Sequence, residues 1–186
     1  MIRCRFAARL GFASSTIIAA LDLAAGLTSN PALMKLRDVT EADLPIFFEH
    51  QREPDANRMA VFPPRERDAF MVHWRTKVLG NAANKKKAII VGDDVVGNIL
   101  SWEQDGKRFV GYWIGSAYWN RGIATTALWE FVTACEKTRP LYAFVAAHNT
   151  GSIRVLEKAG FRRVGEPSIG HDGVAELLMA CGLAEK

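Results

Sequence analysis

Apolar residues Ala124, Ala127, Leu128, Phe131, Val132 and Cys135 fall at i, i+3, i+4, i+7, i+8 and i+11. That is the period of a helix with one buried stripe. The helix starts straight out of a short loop around Gly122, within Tyr118 to Leu128 (YWNRGIATTAL). Leu141 to Ala147 (LYAFVAA) is an apolar run of strand length rich in β-formers. After His148 and Asn149 comes a second helical run, Ile153 to Ala159, closed by Gly160 and Phe161. Asn149 suits an N-cap, and Gly160 the left-handed position just past a helix end. Upstream, Leu36 to Val39 reads as a first strand. Thr40 and Asp43 are spaced as a capping-box variant before a helix over Leu44 to Gln51, with Pro45 near its start. Arg52 to Arg67, carrying Pro54, Pro63 and Pro64, reads as a loop or broken helix, and Asp68 to Leu79 as a helix with a partly apolar face. A polar turn over Gly80 to Lys87 leads to three strands: Ala88 to Val91, Val95 to Glu103 and Arg108 to Ile114. Asp93-Asp94 and Asp105-Gly106 are the turn signals between them. Phe161 to Val164 and Val174 to Ala180 supply the last two strands. The sum is a mixed α/β (α+β) domain around a mostly antiparallel sheet.

The loop before the Ala124 helix carries the first chemistry. A helix start leaves its leading N–H groups unpaired and presents the positive end of the helix dipole, which suits phosphate or pyrophosphate. Gly122 lets a ligand approach the backbone, and the small residues Ala124 and Thr125 stay out of its way. Taken alone, the same loop reads equally as a tight turn before a core helix. The order strand, glycine loop, helix, strand, Asn-x-x-Ser, short helix, Gly-Phe is far more specific than either half.

In that order the chain resembles the GNAT superfamily of acyl-CoA-dependent N-acyltransferases, and within it the Rim-type ribosomal-protein N-terminal acetyltransferases. Trp119-Asn120-Arg121-Gly122-Ile123-Ala124 matches the pyrophosphate loop. Asn149-Thr150-Gly151-Ser152 with Leu156-Glu157-Lys158-Ala159-Gly160-Phe161 matches the later motif. The resemblance runs over about residues 34 to 183. Trp119 stands where the general pattern has Gln or Arg, Asn120 where close relatives often carry Gly, and Leu156 where many members have an acidic Tyr. The resemblance implies a sheet whose strands splay at the acyl-CoA site, acetyl-CoA as co-substrate, and no metal. The backbone from Arg121 through Gly122, Ile123 and Ala124 to Thr125 would hold the pyrophosphate. The pantetheine arm would pair with the strand ending at Trp113-Ile114, and Asn149 would add a side-chain hydrogen bond beside its capping duty. With no Tyr at 156, Ser152 is the candidate for assisting protonation of the leaving thiolate. Glu103, at a strand end, is the leading carboxylate for the base. His73, His148 and Glu130 are weaker candidates, each with an ordinary structural reading.

Composition fits one ordinary globular domain: 186 residues, 49% hydrophobic and 24% charged. Net charge is only +4. Arg3, Arg5 and Arg9 against Asp22 put +2 of it in residues 1–33, which leaves no dense basic face for direct nucleic-acid binding. Three scattered cysteines (Cys4, Cys135, Cys181) offer neither a disulfide framework nor a metal site, and a reducing cytoplasm is the simplest setting. The tail before Met34 begins basic and then turns apolar from Ile17 to Leu27, interrupted by Asp22, too short for a membrane span. It reads as sequence upstream of a natural start at Met34, as an accessory helix, or as a targeting segment. Residues 34–186 form the single catalytic domain on this reading, acting alone or as a homodimer.

The expected partner is an amine acceptor. An α-amino group, with pKa about 7.7–8.0, is partly neutral near pH 7, whereas a lysine near 10.4 needs a stronger base. The scarcity of bases therefore favours a protein or peptide N-terminus. A small amine such as a polyamine, aminoglycoside or amino-acid derivative is the alternative, and an acyl-CoA sensor without turnover is the reading of another class. The acids Glu49, Glu53 and Asp55 border the expected acceptor groove.

Overall fold

The computed structural model describes residues 34–170 and 173–183; the tail 1–33 and the roles considered for it lie outside them. The elements run β1 (Met34–Asp38), α1 (Leu44–Arg52), α2 (Pro54–Ala60), α3 (Arg67–His73, continued by a π-type turn to Leu79), β2 (Lys85–Val91), β3 (Asp94–Gln104), β4 (Lys107–Ile114), α4 (Ile123–Glu130, continued by a π-type turn to Cys135), β5 (Leu141–Ala146), α5 (Thr150–Lys158), β6 (Arg162–Arg163), β7 (Ser168–Ile169) and β8 (Ala175–Cys181). The strands form one sheet in the order β1-β2-β3-β4-β5-β8-β6, with β7 also on β8. Every described pairing is antiparallel except β4 with β5. This is the expected mixed α/β architecture.

Helices cover both faces. On one face α4 and α5 pack Ile123, Leu128, Phe131 and Leu156 against Ile99, Val110, Tyr112 and Ile114. On the other, α1 and α3 pack Leu44, Phe47, Phe48, Phe70 and Trp74 against Ile90, Leu100, Trp102 and Phe109. The capping box forms as its spacing predicts: the Thr40 N–H donates to Asp43 at 2.7 Å, and Arg37 forks onto the same carboxylate at 2.7 and 2.6 Å. The Asp105-Gly106 hairpin also forms, both residues taking positive φ as a two-residue turn demands.

Three expectations on the elements need correcting. The first hairpin turns at Gly92-Asp93, one residue earlier than expected, because glycine takes the φ of +61° while Asp94 already pairs with Val91. β2 begins at Lys85 rather than Ala88; Lys85 is exposed and Lys86 and Lys87 half-buried, Lys87 reaching Asp38 at 2.8 Å across to β1. The strand expected from Phe161 shrinks to Arg162–Arg163, since the Phe161 N–H still donates to the Leu156 carbonyl at 3.0 Å in closing α5. Within Arg52 to Arg67, Pro54 sits in the first turn of α2, where its missing N–H costs nothing.

Candidate active site

β4 ends at Ile114 and the chain crosses a single 3-10 turn, Ser116–Tyr118, before α4. Two residues of the intervening loop are left-handed, Asn120 at φ +63° and Gly122 at φ +74°. Asparagine is the side chain that best tolerates this region after glycine, so Asn120 holds the left-handed turn without a glycine. Thr126 makes the first helical bond, its N–H donating to the Gly122 carbonyl at 3.1 Å. The N–H groups of Ile123, Ala124 and Thr125 therefore have no helical acceptor behind them. They face a cleft of about 260 Å³, lined also by Ile114, Arg121, Gly151, Arg154 and Lys158. The helix dipole and three cations of the lining favour an anion there. Arg121 lies over the Tyr118 ring, 5.7 Å from its centre.

β4 and β5 pair only at Arg108–Leu141 and Phe109–Tyr142, then diverge. The Gly115 N–H donates to Val96 on β3 at 2.9 Å. Strand alternation then turns the backbone of Gly111, Trp113 and Gly115 toward β3 and that of Val110, Tyr112 and Ile114 the other way, where Val110 still closes the Phe109–Tyr142 bridge and only Tyr112 and Ile114 meet the open side. Of the expected pair, Ile114 thus presents its backbone to the gap, while Trp113 contributes its side chain to the other face and donates its indole N–H to the His50 carbonyl at 2.9 Å. Trp119, unusual at its position, donates its own indole N–H to the Ile114 carbonyl at 2.8 Å and so ties the loop to the strand end.

Asn149 is fully buried and caps α5, its Oδ1 accepting the Ser152 N–H at 3.0 Å. Its Nδ2 also donates to the Met59 carbonyl at 3.3 Å, joining α2 to the start of α5. Ser152 is buried as well, its hydroxyl 2.7 Å from that of Tyr112. Burial pushes the Tyr112 phenol well above its ordinary range, so it keeps its proton. Leu156 is wholly inside the core and offers no acid.

Glu103 is not brought to this place. It is exposed beside the Asp105-Gly106 turn and pairs with Arg108, whereas the splayed end of β4 pairs at Gly97. Six residues of strand separate the two, roughly 20 Å. Glu103 does stand at a strand end, but at the one away from the cleft. His148 is exposed and Glu130 lies along α4, neither lining the cleft. His73 is buried on α3, where desolvation lowers its pKa to about 4.

Residues that sequence reasoning missed are informative. Arg154 and Lys158 join Gly151 and Val155 in the lining at i, i+3, i+4 and i+7, a helical stripe legible from Asn149 onward. Tyr112 is the partner of Ser152. His50, in the last turn of α1, lays its ring against Gly115 so closely that a Cβ there would fall 2.7 Å from its Cδ2 and Nε2. Burial lowers the His50 pKa, which keeps the imidazole neutral at pH 7. Next to it Glu53 accepts the Ser116 N–H at 2.7 Å. No local pattern marks His50, because its place depends on how α1 docks on β4. No group of three or more metal-ligating side chains occurs among the described residues, and no described helix is long and apolar enough to cross a membrane.

Comparisons with known proteins agree with this geometry. A family model described as an acetyltransferase (GNAT) domain matches residues 34–162. Similar solved structures include a GNAT-family acetyltransferase from Bacillus anthracis (21% identity, TM-score 0.66, covering 79% of this chain and 93% of that one). An aminoglycoside acetyltransferase bound to coenzyme A and kanamycin is similar at 18% identity and TM-score 0.63, over 78% of this chain and 93% of its own. The spermidine N-acetyltransferase of Vibrio cholerae, bound to CoA and spermine, is similar at 15% identity and TM-score 0.69, over 80% and 95%. A search of curated proteins finds no match.

Proposed function

This chain belongs to the GNAT acetyltransferase family and is an acetyl-CoA-dependent acyltransferase; on that premise we propose that it acetylates the primary amine of a small molecule. The observation that carries this reading is the union of an anion-binding helix start with the unpaired β4 edge beside it. In the proposed mode, the N–H groups from Gly122 to Thr125 hold the pyrophosphate, with Arg121, Arg154 and Lys158 adding charge. The open backbone of Tyr112 and the Ile114 N–H pair with the pantetheine amides. Trp113 shapes the acceptor side of the strand end, and Asn149 sets the position of α5.

The amine nitrogen attacks the thioester carbonyl, a C–N bond forms, the C–S bond breaks, the nitrogen loses a proton and the thiolate gains one. His50, neutral and beside the strand end, is the better base in this reading than the distant Glu103. Ser152 reaches the thiolate's proton only as half of the hydroxyl pair with Tyr112. The case for a protein N-terminus, and with it the Rim-type branch, rested on a poor inventory of bases. His50 weakens that argument, and relatives that hold kanamycin or spermine support a small acceptor. A cytoplasmic setting and a monomer or homodimer both accord with the proposal.

The test is thermal stabilisation of the full chain by acetyl-CoA, run beside thiol release against peptides and small amines, with Gly122→Glu as control. A ligand bound only by the folded state raises the melting temperature. A shift that disappears in the variant, with thiol release for small amines, is expected. No shift, or release only with peptides, would overturn the proposal.

A further inference from the structure

The amphipathic pattern of α3 breaks at one place. Phe70, Met71, Trp74 and Val78 turn into the core, yet Val72 stands on the opposite side of the helix, 59% exposed. Ile46 of α1 is exposed as well. A single exposed valine is ordinary, but its surroundings are not. Val72 lies in a groove of about 280 Å³ between α3 and the start of α1, on the opposite face of the sheet from the α4–α5 cleft. Pro45, Met71 and Val72 make its floor apolar. Two acids, Glu41 and Asp68, and two arginines, Arg67 and Arg75, complete the lining, so its charges cancel. Arg75 donates its Nε–H to Glu41 at 2.9 Å, which leaves the terminal amines of that guanidinium for a second acceptor. Asp68 is exposed and forms no ion pair among the described residues.

Asp68, Val72 and Arg75 stand at i, i+4 and i+7, and all three line the groove, so they form one stripe of the helix. Acid, apolar residue and base follow in that order, with Asp68 and Arg75 about 10 Å apart along the axis. Turned end for end, the stripe is its own complement. Two such helices crossing antiparallel at Val72 set each Asp68 level with Arg75 of the second copy, and valine against valine between them. A parallel crossing would set like charge on like. A two-fold interface demands this self-complementarity, which a patch built for an unrelated protein has no reason to show. Exposed ion pairs add little affinity but fix direction, while Val72, Pro45 and Ile46 supply apolar contact. We propose that the outer face of α3, with the start of α1, docks a second copy of this chain about a two-fold axis through Val72. The patch is small, so the dimer is weak and depends on concentration.

The experiment is sedimentation velocity on the full chain at about 1 to 200 µM, the range of such a contact. A dimer that grows with concentration is expected. Asp68→Arg leaves only cations on the stripe and Arg75→Asp only anions, so each variant alone should dimerise at least about tenfold more weakly. High salt should narrow that gap by screening the repulsion. Mixed in equal amounts, the two variants should associate at least as well as the unaltered chain, because each now meets its opposite. Val72→Glu should abolish association. All three positions are exposed, so the variants keep the fold. A chain that stays monomeric throughout, dimers unmoved by the single reversals, or a mixture that fails to associate would overturn the proposal. None of these outcomes bears on acetyl-CoA binding, and the transferase reading is tested separately.

Discussion

The two ends of the β3–β4 hairpin solve the same problem in opposite ways. At the turn end, Glu136 is completely buried, yet each oxygen is met. Ser101 donates to it at 2.6 Å, Arg108 at 2.9 Å and the Thr138 N–H at 2.9 Å, with Lys85 at 3.6 Å. At the other end His50 Nδ1, Gln51 Oε1, Asn57 Oδ1 and Asn98 Oδ1 have no hydrogen-bond partner among the described residues, two glycines let chains crowd together, and β4 leaves β5. A buried network that is fully satisfied holds a structure in place; one left open stores demand for a partner. The hairpin thus divides into an anchored end and a receptive one.

Breaking the anchored end should have the largest effect. Glu136→Leu leaves Arg108 as a nearly buried, uncompensated cation and should cost about 3–5 kcal/mol in urea unfolding. The acetyl-CoA affinity of the folded fraction should not change. On the receptive side, Gly122→Glu forces a side chain onto a left-handed residue and sets a carboxylate in the anion site. Acetyl-CoA affinity should fall about a hundredfold, or about 2.7 kcal/mol, by calorimetric titration.

Acid should separate the ends by pH. The Glu136 carboxyl is held at about 2 against an ordinary 4.5, burial opposing and the Ser101, Thr138 and Arg108 hydrogen bonds prevailing. A lowered folded pKa gives stability that is complete above the unfolded value and lost as pH falls toward the folded one. The anchored end therefore weakens between about 4.5 and 2. His50 is also lowered, by burial, so its contribution goes as pH falls below 6.5. Stability of His50→Gln should follow a flatter curve just below 6.5, and that of Glu136→Gln a flatter one below 4.5. Smaller still, Asn149→Ala removes the α5 cap and the tie to Met59, a loss of about 1–2 kcal/mol in thermal unfolding. Ser152→Ala and Tyr112→Phe should each cost about 1 kcal/mol. An equal fall in kcat for both, with KM for acetyl-CoA unmoved, would mark the hydroxyl pair as part of proton delivery.

Most of the local geometry around the proposed anion site was legible in the sequence. The helix period after Gly122, the cap at Asn149 and the left-handed Gly160 are local devices, decided within a few residues. The capping box of Thr40 and Asp43 and the Asp105-Gly106 turn are of the same kind. What stayed hidden depends on docking. His50 acquires meaning only when α1 lies on Gly115, and Tyr112 only when α5 brings Ser152 over β4. Glu103 failed for the complementary reason: a period-2 pattern says which face a strand residue takes, but not which end of the strand meets the helices. The backbone alternation that turns Ile114 to the gap and Trp113 away from it is set by pairing register, which no single strand contains.

The divergence of β4 from β5 also changes what kind of surface the middle of the sheet is. Tyr112 and Ile114 belong to an interior strand, yet along the gap their amides have the chemistry of an outer edge. Outer edges invite other chains to add on, and proteins blunt them with lysine, proline or bulges. None of these stands at 112 or 114. Here protection comes from depth: the gap opens within one folded sheet, flanked by β4 and β5, and in the proposed binding mode it takes a slender amide-bearing arm rather than a neighbouring strand. Hydrogen exchange should read this directly, with these central amides exchanging like those of a rim until acetyl-CoA completes the ladder and makes them among the slowest in the molecule.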